Sequence, residues 1–415
     1  MRSTYSRALQ QNFLFAVFAV TTMLCAQAFS ASETVLHSFG PAGQDGQRPF
    51  AGLTWHNGAF YGTTDGGGPH LVGTVFAIKL VNGVWREKVL YAFTGGADGD
   101  EPRSNVSFDK SGNMYGTTLY GGSGGLGNGV VFKLSPSNGA WIESVIHTFA
   151  GGTSDGYWPA GLIMDADGNL YGNTAGGGTH NAGVVFKLAP SGNSWKETIL
   201  YNFSRAPDGG GPSGDLVFDA AGNLYGTTAA GGTNANHNGL GDGTVFRLSP
   251  NPDASWSETV LHSFGAGDDG AMPLAGLVLD AAGNLYGTTP YGGGTPEGGH
   301  GTAFQLSFSN GSWTETVISN FTTPSGGNSP QSPLTIDNAG NLLGVANGGA
   351  GRYGAVYQLS LANGTWTHIP LYSFPDTASG VHPTGKLVLD NRGNIYGTTI
   401  RGGDRNFGVI YAIAP

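Results

Sequence analysis

The chain of 415 residues carries 74 glycines, and its 18 lysines and arginines stand against 28 aspartates and glutamates, for a formal charge of -10. That balance, with no run of basic residues, excludes the clustered cations that nucleic acid needs. Abundant Gly with sparse Glu and Lys excludes a helical fold and predicts short strands joined by tight turns.

The N-terminus reads as a targeting segment. Arg2 and Arg7 precede an almost uncharged apolar stretch, Phe13 to Ala26, and Ala26-Gln27-Ala28 offers the small-x-small pattern of a cleavage site. The stretch falls short of the about 20 residues that span a membrane. Residues 1–28 are therefore expected to be a signal peptide, with a retained anchor as the alternative. The expected location is extracellular or periplasmic, with no membrane insertion after signal removal. Cys25, the single cysteine, lies inside this segment. The mature chain then has no disulfide, no thiol nucleophile and no Cys-ligated zinc.

Residues 29–415 are one array of repeats. Tyr-Gly-Thr-Thr begins at Tyr61, Tyr115, Tyr225, Tyr286 and Tyr396, with a variant at Tyr171 and a degenerate copy at Leu343; successive spacings run from 53 to 61 residues. Within each copy the order of signals is constant. An apolar run such as Leu277-Val278-Leu279 predicts a strand, Asp280 to Asn284 a turn, and Leu285 to Thr289 a second strand. A Gly-rich loop precedes a third strand such as Val130 to Leu134, and a Trp opens a fourth, as in Trp256 to Phe264. Four short strands with turn signals every few residues predict one antiparallel sheet per copy. A Phe or Tyr lies nine residues before the Trp in most copies, as in Phe76 and Trp85 or Phe132 and Trp141; such aromatic pairs predict packing between adjacent sheets.

The two ends are complementary. The last copy stops after its third strand, Val409 to Ile413, while Glu33-Thr34-Val35-Leu36-His37-Ser38-Phe39 repeats Glu258 to Phe264 residue for residue. The prediction is an all-β, seven-bladed β-propeller of four-stranded antiparallel blades, in which the N-terminal strand completes the last blade and no sheet edge is left open. An open β-solenoid is the alternative, but it would not need complementary ends.

The pattern Asp-x-x-Gly-Asn-(Leu/Met/Ile)-Tyr-Gly-Thr-Thr-x-x-Gly-Gly, followed by Gly-x-Val-Phe-x-Leu, resembles the GloVer (Gloeo/Verruco) tandem repeat of exported bacterial proteins. The resemblance covers nearly all of the chain after residue 32 and implies a propeller on an exported protein, without implying an activity. Members often carry a C-terminal anchoring or sorting segment; here the last strand runs directly to Pro415, which leaves surface attachment or free release open. The Gly-Gly doublet and the downstream Trp are also kelch-like.

Function is sought where the copies differ. Six of the eight glutamates (Glu33, Glu87, Glu143, Glu197, Glu258 and Glu315) share one position, expected on a solvated outer face. The turn aspartates Asp109, Asp165, Asp219, Asp280, Asp337 and Asp390 are expected to bind their own turns. Asp165 to Asn169 hints at a calcium loop but lacks a distant bidentate Glu, so no cofactor is expected, with calcium an open possibility. Asp-Gly loops before each blade carry the variable residues Arg48, Glu101, Trp158, Met272 and His382, and the Gly-rich loops add His70, His180, His237 and His300. Gly121 to Gly125 matches a nucleophile elbow formally, yet without strand-to-helix context.

At the start of the innermost strands, Asn105, Asp215 and Lys386 break a register that is otherwise small or apolar. With Glu101 and Trp158 they form the expected ligand-binding set, while catalytic and metal-binding residues are not assigned. This shortage of unique ionisable groups favours a monomeric, non-catalytic binding or scaffold propeller holding a glycan, a peptide or a cell-surface protein. The alternative is a metal-dependent hydrolase, lactonase or lyase with its site at the channel mouth.

Overall fold

The computed structural model describes residues 31–41, 43, 45–122, 127–234, 241–265, 268–294, 299–322, 327–348 and 353–414. The expected signal peptide, His237 and the Ser of the Gly121 to Gly125 motif lie outside them. The described residues contain strands and turns but no helix, and so none long and apolar enough to cross a membrane.

Why the repeat becomes a blade can be read from Tyr-Gly-Thr-Thr itself. The Tyr hydroxyl donates to the aspartate of the preceding turn, as Tyr115 does to Asp109 Oδ2 at 3.0 Å. That same aspartate accepts the backbone N–H groups of Ser111 and Asn113 and the Asn113 amide, which closes the turn. The Gly leaves room for an aromatic ring from the third strand. A Cβ on Gly226 would stand 2.6 Å from Phe246 Cζ. The first Thr reaches the next blade: Thr63 Oγ1 donates to Ser104 O, Thr227 to Ala275 O and Thr398 to Ala51 O. The second Thr bonds inside its own loop, as Thr64 Oγ1 does to Gly66 O. Each letter of the motif thus fixes a turn, a core ring, a neighbour or a loop.

Seven sheets result. Blade 1 is Thr54–His56, Ala59–Thr64, Thr74–Val81 and Val84–Ala92, paired in that order from the axis outward. Blades 2, 3, 5 and 6 repeat the order, beginning at Ser107, Gly156, Val278 and Thr335. In blade 4 the innermost strand is split into Gly210–Pro212 and Val217–Phe218, both paired to Leu224–Ala230. Blade 7 comprises Val381–Leu389, Ile395–Arg401 and Val409–Ala414, and Ser32–Ser38 adds the outermost strand antiparallel to Val409–Ala414. The ring is closed by the N-terminal strand.

The core lies between blades. Seven edge-to-face pairs join the Phe that ends one blade to the ring of the next: Phe39 with Phe76, Phe93 with Phe132, and so on round to Phe374 with Tyr411, at centroid distances of 4.9 to 5.4 Å. A second layer sets the motif Tyr against the Trp of the following blade, as Tyr61 against Trp141 and Tyr171 against Trp256. At the seam between blades 6 and 7, Leu343 replaces the Tyr and Ala31 stands where the Trp would be. The aromatics therefore pack between sheets, but the Phe and Trp that are nine residues apart each find partners in different layers.

The six glutamates do not lie on a solvated outer face. In the outermost strands they alternate with exposed Arg86 or Lys88 and share the inward face with Trp, so they are half-buried at the blade seams. The Oε1 atom of each is sealed from water and has no hydrogen-bond partner. Burial, with Asp98 or Asp208 nearby, pushes Glu143 and Glu258 up to about 7. Raised in the folded state, these groups stabilise fully below about pH 4.5, the unfolded range, and that contribution is lost as pH rises through 7. Glu143→Gln with Glu258→Gln should flatten the fall in melting temperature between pH 5 and pH 8. Each site contributes about 1 kcal/mol once solvent screening has reduced the linkage value. Identical pH profiles for variant and wild type would refute this.

Candidate functional site

The loops that lead into the blades, five of them with Asp-Gly, place seven backbones in one conformation around one face of the ring. Arg48, Glu101, Trp158, Gly211, Met272, Ser329 and His382 all have φ between 47° and 64°. Six of the seven are not glycine, and each such residue costs about 1–2 kcal/mol in that region. What holds them is a bond to the preceding blade: their N–H groups donate to Phe407, Val72, Asn128, Ala182, Asp242, His300 and Tyr353 carbonyls. The proline after each packs on the glycine that opens the neighbour's third strand, as Pro212 does on Gly183. A uniform backbone thereby presents side chains that differ from blade to blade.

Inside the ring, Asn105, Asp215 and Lys386 meet at the waist of the central channel, where they line both a cavity of about 340 Å³ on the loop face and one of about 740 Å³ at the opposite mouth. Their strands bring them together because blades 2, 4 and 7 each break the small-residue register at the same level. Asn105 Nδ2 donates to Asp215 Oδ2 at 2.9 Å. Blade 3, which lies between the two, leaves space for this pair, since a Cβ on Gly161 would collide with Asp215. Protein surrounds Asp215 even though the channel leaves it some solvent contact, and burial raises its carboxyl above the usual range; Asn105 and the charge of Lys386 offset that in part. Asn105 Oδ1 is buried without a partner.

The upper cavity is walled by Phe50, Arg103 and Trp158. Trp158 is 42% exposed and Phe50 41%, and the Arg103 guanidinium lies 5.2 Å over the Phe50 ring. Glu101 does not line the cavity; its carboxylate accepts from Arg103 at 2.7 Å, and Arg103 also approaches Asp65 at 3.3 Å. Glu101 thus orients the cation that does line it. Arg103 itself was not singled out from the sequence, although it lies two residues from Glu101 in the same loop. His70, His180 and His300 take no part in either cavity.

Comparison with known proteins adds the family. The Gloeobacter/Verrucomicrobia repeat matches residues 17–240 and 236–415. The chain belongs to that repeat family. Among curated proteins the sequence of this family member has no match. Among solved structures it is similar to a polysaccharide lyase, an ulvan lyase, at 12% identity and a TM-score of 0.51, over 92% of this chain and 95% of that one. A Bacteroides uniformis protein provisionally described as a 6-phosphogluconolactonase matches at 15% identity and 0.51, over 80% and 89%. A gluconolactonase from Xanthomonas campestris matches at 13% and 0.41, over 92% and 99%. At such identities the likeness shows the propeller fold. The expectation of a non-catalytic binding or scaffold protein is corrected to this extent: the two propellers named above at a TM-score of 0.51 are described as a 6-phosphogluconolactonase and a lyase, which stand with the alternative, an enzyme. The sequence pointed the other way because near-uniform repeats leave few ionisable residues that are unique to one blade.

Proposed function

We propose that this propeller is a hydrolase of lactone type, acting on a small sugar-derived lactone in the loop-face cavity. The observation that carries the reading is the meeting of Asp215, Asn105 and Lys386 at the floor of a cavity walled by an aromatic and a cationic side chain. A carboxyl raised above its usual range by burial serves as the general base, since a raised pKa makes a carboxylate a better proton acceptor. Asp215, steadied by Asn105, takes a proton from water as the water oxygen attacks the lactone carbonyl carbon. Lys386 stabilises the oxyanion, the ring C–O bond breaks, and the departing alkoxide takes up the proton. Trp158 offers an apolar face to a sugar ring, and Arg103 a partner for an acidic substituent. A volume of about 340 Å³ suits a monosaccharide. That volume favours a small lactone over a polymer.

Metal dependence is not part of the proposal. The waist offers one carboxylate and one amide oxygen beside the Lys386 ammonium, a donor set that repels a divalent ion. Export through the 1–28 segment belongs to the same reading, which places the activity outside the cytoplasm. The test follows proton release from an aldonic acid δ-lactone by the purified protein above the spontaneous rate. Asp215→Asn should lower kcat by about 10²–10⁴-fold with folding unchanged. No catalysis by the wild type, or equal rates for the variant, would sink the proposal. An unsaturated product from a uronate polymer would move the assignment to a lyase.

A further inference from the structure

Three of the seven blade seams carry the same triad. His37, Asp45 and Glu87 meet at the seam of blades 7 and 1; His147, Asp155 and Glu197 at that of 2 and 3; and His262, Asp269 and Glu315 at that of 4 and 5. In each, one nitrogen and two oxygens lie within 4.8 Å of one another. The imidazole comes from one outermost strand, the Asp from the loop after it, and the Glu from the next blade's outermost strand. Closure of the ring is thus what assembles each set.

At the first two of these seams the spacing differs from that of ordinary hydrogen bonding. The seams of blades 1 and 2 and of blades 3 and 4 carry Tyr in the same place, and Tyr91 and Tyr201 donate to Asp98 and Asp208 at 2.9 and 2.7 Å. His37 Nε2 stands 3.3 Å from Asp45 Oδ2, and His147 Nε2 3.6 Å from Asp155 Oδ2 and 3.4 Å from Glu197 Oε1. Neither nitrogen makes a hydrogen bond of acceptable geometry, although both are buried. In the third seam His262 Nε2 is 3.0 Å from Asp269. Ligands about 2.0–2.1 Å from a tetrahedral zinc lie about 3.3 Å from one another, close to the His37–Asp45, His147–Asp155 and His147–Glu197 spacings. Backbone N–H groups hold the aspartates in place: Ala150 and Gly156 donate to Asp155, and Gly40 and Gly46 to Asp45. Apart from buried Asp155, the side chains of the first two triads are only partly buried, so an ion can reach them from the rim.

We propose that these seams are three divalent-metal sites, each with one imidazole and two carboxylates and a fourth position left to water, suited to zinc or a related first-row ion. They lie at the outer strands, apart from the channel, and do not depend on the lactonase reading. Each site links two blades, so an ion there staples the ring.

The test loads the protein with Zn²⁺, removes free ion by buffer exchange, and counts bound metal by mass spectrometry. The expected result is about three equivalents per chain and a melting temperature that rises with Zn²⁺ and falls back with a chelator. His37→Tyr, His147→Tyr and His262→Tyr copy the residue native to the alternate seams, so each should fold and remove about one equivalent, the triple variant removing all. Glu197→Gln gives a second route to the same loss at one seam, should a tyrosine variant misfold. Absorption bands of bound Co²⁺ should disappear in the same order. Fewer than one equivalent on the wild type, or undiminished binding by a folded triple variant, overturns the proposal.

Discussion

A chain lacking residues 32–39 is expected to aggregate or to unfold far below the melting temperature of the intact protein. The strand Ser32–Ser38 makes the only pairing available to the outer side of Val409–Ala414, and its loss bares that edge to other chains. Phe39 is fully buried and stacks edge-on against Phe76, so the deletion also opens the aromatic layer between blades 7 and 1. Truncating one such ring costs about 3–5 kcal/mol before any loss of strand pairing. Melting curves and size-exclusion profiles of the two forms decide the matter. A stable, monomeric truncation would mean that the ring does not need this strand.

The second large effect is expected at a glycine. Gly183 opens the third strand of blade 3 at φ +94°, where an added Cβ would run into Thr174 O and lie 2.7 Å from Pro212 Cδ of the next blade. Backbone cannot give way as a flexible side chain can, so Gly183→Val should cost about 3 kcal/mol or more. Gly192 also has positive φ, at +63°, but nothing within 4 Å of such a Cβ. Gly192→Ala should therefore cost only about 1 kcal/mol, the penalty of the left-handed conformation alone. Equal losses at the two positions in thermal or denaturant unfolding would show that inter-blade packing is not what Gly183 serves.

How much was legible in the sequence depended on whether a feature repeats. Blade number, strand order and the closing strand follow from a motif recurring every 53 to 61 residues and from the match between Glu33 to Phe39 and Glu258 to Phe264. Local chemistry dictates these elements: a turn aspartate beside its Asn, a Gly under a ring, a Thr facing the next backbone. The channel trio was also visible, since Asn105, Asp215 and Lys386 interrupt a register of small residues at one level of the inner strand.

Where reasoning from the sequence failed, the missing information was the neighbour. The glutamates look solvent-facing until the next blade covers them, although their alternation with Arg86 and Lys88 already set them on the Trp face. Arg103 is a surface cation in the sequence; in the cavity wall it is held by Glu101 and Asp65. His37, Asp45 and Glu87 are separated along the chain, and only the closed ring sets their polar atoms within reach of one another. The sequence by itself determined the blades, because short-range turns and strand periodicity suffice for them. Tertiary structure alone decided the seams and the channel floor, because those sites take single residues from different blades, and only ring closure specifies their distances.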